Sequence, residues 1–203
     1  MTPPILRDVP MAFETERLLI RAPQIGEGVA LNEAIRESIE ELKQWMPWVH
    51  PVPTIEDSEA HAREALAQFI SREALFMRLI FKANDELVGS SGLHVKSWDV
   101  PRFEVGYWCR TKSSGQGLIS EATRGLTRFA FDCLQANCVS IRCDARNERS
   151  RRVIERSGFI YEGTLRCDSR APDGSLRDTL QFSILRSEFE GKSRDWPAIK
   201  VLS

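Results

Sequence analysis

A layered α/β fold built on a mixed, twisted sheet is predicted by three features of the sequence. Residues 75–109 hold three successive runs rich in strand formers, at 75–81, 86–95 and 102–109, which read as an antiparallel meander. From Leu118 the period changes, and Leu118, Ala122, Leu126, Phe129, Ala130 and Cys133 fall on one face of a helix of about five turns. Val139, Ile141 and Cys143 then alternate with Ser140, Arg142 and Asp144, so strand, long helix and strand make a parallel crossover. The expected tally is roughly seven strands and four helices, with helices on both faces of the sheet.

The elements follow in order. RLLIR at 17–21 is a short apolar run between charges and reads as the first strand, closed by Pro23, Gly26 and Gly28. Leu31, Ala34, Ile35, Ile39, Leu42 and Trp45 recur at helical spacing until Pro47 stops them. After the Trp45-Met46-Pro47-Trp48 loop, Asp57 or Ser58 starts a second helix with Ala62, Leu66, Phe69 and Ile70 on its inner face. Asn84-Asp85 supplies the turn between the first two meander strands. Asn147 caps a short helix over 148–157, and Gly158 takes its left-handed exit. Two last strands, 159–166 and 177–185, are joined across Pro172-Asp173-Gly174.

Composition bounds the function. The chain has 203 residues, 42% hydrophobic and 28% charged, with 28 basic against 29 acidic side chains and a net charge of −1. One domain over 14–190 with terminal extensions 1–13 and 191–203 is the expected organisation. The near-zero charge supplies no broad field for nucleic acid or an anionic membrane, so an anion must be bound locally. Five cysteines cannot all pair, and none are spaced as a zinc or redox motif; with no signal-like start and no long apolar stretch, a cytoplasmic protein is expected. Histidines 50, 61 and 94 have no metal-ligand spacing, so no metal is expected.

The informative segment is EVGYWCRTKSSGQGLISEA at 104–122: a strand, a basic loop, two glycines and the long helix. The first helical turn leaves backbone N–H groups unpaired, and the dipole's positive end faces the loop. Gly115 and Gly117 let a phosphate approach the peptide closely. A P-loop fails because Leu118-Ile119 follows Gly117, and a dinucleotide fingerprint fails because Ser120 stands where Gly or Ala is needed.

A second segment, NERSRRVIERSGF at 147–159, follows the crossover. With TERLLIR at 15–21, the Trp-x-Pro-Trp of 45–48, EVGYW at 104–108, GQGLISEA at 115–122 and SILRSEF at 183–189, the chain resembles the GCN5-related N-acetyltransferase (GNAT) superfamily. It is most similar to the RimJ/RimL-like branch acting on ribosomal-protein N-termini. The resemblance implies a GNAT fold and acetyl-CoA as cosubstrate, with the pyrophosphate on the amides of Gly115, Gln116, Gly117, Leu118 and Ile119. Ser114 departs from the family's Gln or Arg, and Ile119 from a small residue, which would crowd the pyrophosphate; Arg110 and Lys112 would restore positive charge.

The same resemblance makes Glu104 the general base, its pKa raised by desolvation among Phe103, Val105 and Tyr107. It puts Asn147 and Ser150 against the pantetheine arm and sulfur, with Ser150 donating a proton to the leaving thiolate. Backbone N–H groups of Trp108, Cys109 and Arg110 would polarise the acetyl carbonyl, and transfer is direct, with Cys109 and Cys143 as ordinary buried residues. Trp45 and Trp48 wall the acceptor entrance. The expected acceptor is a protein N-terminal amine, whose pKa lies well below that of lysine. Acetylation of a small amine (aminoglycoside, polyamine or amino acid) and a non-catalytic CoA-binding module are the alternatives. A homodimer is compatible with either.

Overall fold

The computed structural model describes residues 3–192 and 196–202. Its strands are β1 (Ala12–Glu14), β2 (Leu18–Arg21), β3 (Ala74–Phe81), β4 (Glu86–Ser97), β5 (Arg102–Cys109), β6 (Cys138–Asp144), β7 (Ile160–Arg170), β8 (Leu176–Leu185) and β9 (Lys200–Leu202). Its helices are α1 (Gly28–Glu37), α2 (Ile39–Leu42), α3 (Ile55–Ser71), α4 (Leu118–Asp132), α5 (Glu148–Arg156) and α6 (Arg186–Lys192). Among the described residues, nine strands join one sheet in the order β7-β8-β6-β5-β4-β3-β2-β1-β9. β5 and β6 pair in parallel across α4, and the other described neighbours are antiparallel. The mixed sheet, antiparallel front half and parallel crossover are those expected from the sequence.

Seven strands were too few. The additional pair, β1 and β9, lies largely in the expected terminal extensions, and each is too short to display an alternating pattern. Burial recruits them: Phe13 of β1 is completely buried and stacks on Phe129 of α4 at 4.9 Å between ring centroids, and β9 pairs antiparallel with β1.

The sheet carries a layer on each face. α4 presents Leu118, Leu126, Phe129 and Ala130 to one face, in a core shared with Leu93, Phe103, Val105, Val139 and Ile141; each such side chain fully buried contributes about 1.5–3 kcal/mol. On the opposite face, Leu31, Ala34 and Ile35 of α1 pack with Leu87 of β4, Ile80 of β3 and Trp108 of β5.

Two helix boundaries differ from the periodic reading. The helix expected to run through Trp45 breaks at Ser38, a fully buried residue whose hydroxyl bonds back to the Ala34 carbonyl at 2.8 Å and accepts the Thr111 amide at 2.9 Å. α3 starts ahead of Asp57, because Thr54 caps it and exchanges hydrogen bonds with Asp57 in a capping box.

Candidate functional site

The loop between β5 and α4 is held from two sides. A 3₁₀ turn at Thr111–Ser113 follows β5, then Gly115 and Gly117 both adopt φ near 77°. That left-handed backbone favours glycine. A Cβ on Gly115 would meet nothing within 4 Å, whereas one on Gly117 would lie 3.6 Å from Arg17 Nη2. Gly117 is the cap of α4 and offers it no side chain, so the amides of Leu118, Ile119 and Ser120 have no intrahelical acceptor.

Below the cradle, Glu121 accepts from Thr15 Oγ1 at 2.6 Å, the Arg17 amide at 2.8 Å and Arg17 Nε at 2.6 Å. Burial pushes this carboxyl up, but the hydrogen bonds from Thr15 and Arg17 outweigh it and hold it below the ordinary glutamate value. Arg17 Nη1 also donates to the Gln116 carbonyl at 3.0 Å.

Two expectations for this loop are corrected. Ile119 is buried in the core, so its side chain does not crowd the cradle. The cations of Arg110 and Lys112 are committed elsewhere: Arg110 Nη2 lies 2.6 Å from Glu37, and Lys112 Nζ 2.7 Å from Glu86. Arg17 is the cation that the fold brings to the glycines. Gln116 folds its amide onto the Lys112 carbonyl, and Leu118 is buried.

Beside the cradle the sheet opens. Parallel pairing of β5 with β6 ends at Val105 and Ile141, so Gly106–Cys109 and Arg142–Asp144 diverge. The Arg110 amide is donated to the Val88 carbonyl at 2.7 Å. Because antiparallel strands alternate their N–H directions, Trp108 also faces β4, while Tyr107 and Cys109 aim their amides into the gap. Of the three amides expected to polarise a carbonyl, the Cys109 N–H is thus the one available, and Tyr107 N–H joins it.

A cleft of about 790 Å³ spreads from this gap over the α1 side of the sheet, and Glu104, Trp108, Asn147, Ser150, Trp45 and Trp48 all line it. Trp48 and Trp108 stand 6.3 Å apart, tilted at 57°. The Asn147 side-chain Oδ1 accepts the Ser150 amide at 3.0 Å, the capping role read from the sequence. The expected isolation of Glu104 is not found: Arg142 Nε and Lys96 Nζ lie 3.0 and 3.1 Å from its Oε2. Cross-strand partners on this face are separated by about one strand spacing, so these cations and His94, the partner of Glu104, surround the carboxylate.

Sequence reasoning missed three residues here. Tyr107 shares a 2.9 Å hydrogen bond with Ser150 Oγ, and burial pushes its phenol far above the ordinary value, so it keeps its proton. Three residues on from Glu104, Tyr107 falls on the other face of the strand, and its place in EVGYW was the available signal. His94, half-buried against the Phe76 ring at 5.3 Å, is pushed down by burial and is neutral at pH 7. Arg78 lines the same cleft; a lone arginine in an apolar run gave no warning. Burial pushes the thiols of Cys109 and Cys143 up to about 11, which suits packing and not nucleophilic attack. Among the described residues, no three metal-ligating side chains come together and no helix is long and apolar enough to cross a membrane.

A family model described as "Acetyltransferase (GNAT) domain" matches residues 17–160. The chain is 30% identical over 179 residues to the "Putative ribosomal N-acetyltransferase YdaF" of Bacillus subtilis, covering 87% of this chain and 96% of that one. It is 30% identical over 125 residues to the ribosomal-protein-serine acetyltransferase of Escherichia coli, covering 62% and 69% respectively. The fold also matches a solved structure of RimL, a ribosomal L7/L12 α-N-protein acetyltransferase in complex with coenzyme A, with a TM-score of 0.78 at 19% identity over 87% of this chain and 97% of that one.

Proposed function

The chain belongs to the GNAT acetyltransferase family, and from that premise we propose that it moves acetyl from acetyl-CoA directly to the α-amine at a protein or peptide N-terminus. The observation that carries this reading is the cradle: two left-handed glycines and an uncapped helix start, open above Gly115 and backed by Arg17, at the mouth of the β5–β6 gap. Those amides fit a diphosphate, and the gap leads from them to the cleft.

When bound, acetyl-CoA supplies a thioester with a thiolate leaving group. The chain's own residues supply the rest. Amides of Tyr107 and Cys109 point where the carbonyl oxygen gains charge. Ser150, held by its 2.9 Å hydrogen bond to the Tyr107 hydroxyl, offers an O–H to the departing sulfur, and the thiol's proton is drawn through it from solvent, matching the proton that the amine releases. Glu104 takes the amine's proton through water. Trp45, Trp48 and Trp108 narrow the way in and exclude solvent around the reacting amine. Residues 14–190 carry this chemistry as one domain.

An α-amine with a pKa of about 7.7–8.0 is far more often unprotonated at neutral pH than a lysine near 10.4, which favours an N-terminus as acceptor. The ribosomal-protein acetyltransferases among the relatives support the same class.

The test is release of CoA thiol from acetyl-CoA with a panel of N-terminal peptides, lysine peptides and small amines. Peptide N-termini are expected to turn over best. Glu104→Gln and Asn147→Ala should each slow them, the first by about 10²–10⁴-fold; turnover confined to small amines would replace the acceptor class.

A second reading of the base rests on one observation, that Arg142 and Lys96 occupy the Glu104 oxygens while neutral His94 faces the same cleft. The two readings separate by pH. If His94 is the base, the acid limb of kcat/KM lies below the ordinary histidine value of 6.5 and disappears in His94→Asn; if Glu104 is, His94→Asn keeps the limb.

A further inference from the structure

Arg78 is an arginine in a place built for an aliphatic side chain. It sits in the middle of β3 with 1% of its surface exposed, between Arg21 of β2 and Ser90 of β4 in register. Its Nε pairs with Glu27, and its Nη1 donates to Ser90 Oγ at 3.0 Å. Its Nη2 is buried with no hydrogen-bond partner among the described residues. An unsatisfied charged donor of this kind costs more than an ordinary lost hydrogen bond.

The charge around it is also unbalanced. Glu27 is shared, since Arg21 Nη1 lies 3.0 Å from its second oxygen. Two guanidinium groups and one carboxylate leave one positive charge over. Asp57 lines this wall of the cleft too, but its carboxylate accepts the Thr54 amide at 2.9 Å as part of the α3 cap. Arg78, Ser90, His61 and Phe76 line the same cleft as Ser150 and Asn147. Trp108, Ser90 and Arg78 are cross-strand neighbours in one row, so Arg78 stands two strand spacings, about 10 Å, from the reacting level of β5.

We infer that Arg78 is the specificity determinant of the acceptor half of the cleft, receiving on its Nη2 a carboxylate that the acceptor carries near its amine. A carboxylate supplies both missing items, an oxygen for the orphan donor and a negative charge for the surplus cation. It can come from an acidic side chain at the first or second residue of a peptide, or from the α-carboxylate of a free amino acid. The inference rests on the acceptor reading above and deepens it.

The experiment uses matched acceptors and the full chain. Peptides that begin with Asp or Glu are compared with their Asn or Gln isosteres, the same pairs are placed at the second residue, and free amino acids are compared with their amides. Both kcat/KM and calorimetric binding to the CoA-loaded protein are measured. The carboxylate member of one pair type is expected to be preferred by about tenfold to a hundredfold, and the pair type names its source. Arg78→Met combined with Glu27→Gln, which removes both members of the Arg78–Glu27 pair, should bring the carboxylate and amide members of that pair type to within about threefold of each other.

Equal binding and turnover of every pair by the native protein would overturn the inference and leave the acceptor reading standing. Preferential binding of the carboxylate member without turnover of any N-terminus would overturn the acceptor reading and leave Arg78 its role. The native ratio decides the matter even where circular dichroism finds the double variant unfolded.

Discussion

Glu121 is the residue on which the cradle's position depends, because its one carboxylate gathers Thr15, the Arg17 amide and the Arg17 side chain from the β1–β2 turn. Its folded pKa lies below the ordinary 4.5, so the stability it adds is fully present above that value and is lost as pH falls through the folded pKa. His94 acts in a higher window. Burial holds its folded pKa below 6.5, so the unfolded chain takes up a proton that the fold refuses, and stability present above pH 6.5 declines below it. Denaturant midpoints between pH 7.5 and 5 should therefore fall in the native protein and fall less in His94→Phe. Glu121→Gln should cost about 1.5–3 kcal/mol at pH 7 and weaken coenzyme A binding in calorimetry, since Arg17 loses its anchor. An unchanged affinity would mean that the glycines hold their shape without it.

At the scale of elements, the break between α1 and α2 and the start of α4 work as a pair. Ser38 gives up helical continuity and in return accepts the Thr111 amide, while Glu37 and Glu41 take Arg110 and the Thr111 hydroxyl. The loop ahead of α4 is thereby fixed before any ligand arrives. Gly115→Ala should cost about 1–2 kcal/mol in folding through its positive φ and raise the dissociation constant for coenzyme A by more than about tenfold, because the new methyl enters the cradle. Gly174→Ala is the control: its φ is 84°, in the exposed β7–β8 turn, so it should pay a similar strain with coenzyme A affinity intact. The glycine pair, the Asn147 cap and the crossover were all legible in the sequence, because each is a local rule of spacing or backbone freedom. The Ser38 break was not, since Ile39, Leu42 and Trp45 keep the helical period across it and only Thr111, far along the chain, explains the interruption. The Arg110 and Lys112 pairings were hidden for the same reason: their acidic partners lie on α1 and β4.

Across the whole molecule, the ends of the chain complete the sheet that carries the site. β9 closes the edge beyond β1, and β1 leads into Thr15, which donates to Glu121 beneath the cradle. Trp196, 9% exposed, meets Phe189 edge-on at 5.4 Å, and Phe189 stacks on Phe131 of α4 at 4.6 Å. No periodic pattern announces this role, because a single tryptophan and a three-residue strand are too little pattern to read; burial of an aromatic ring makes the contact worth forming. Trp196→Ala should therefore cost about 3–5 kcal/mol, a fall of roughly 10 °C or more in Tm for a chain of this size. Saturating coenzyme A binds only the folded state, so it should raise the variant's Tm by as many degrees as it raises the native protein's if the cradle is unaffected. A smaller rise in the variant would show that the far edge of the sheet transmits strain through Thr15 to the phosphate-binding loop, and the dissociation constant at a temperature where both proteins are folded would measure how much.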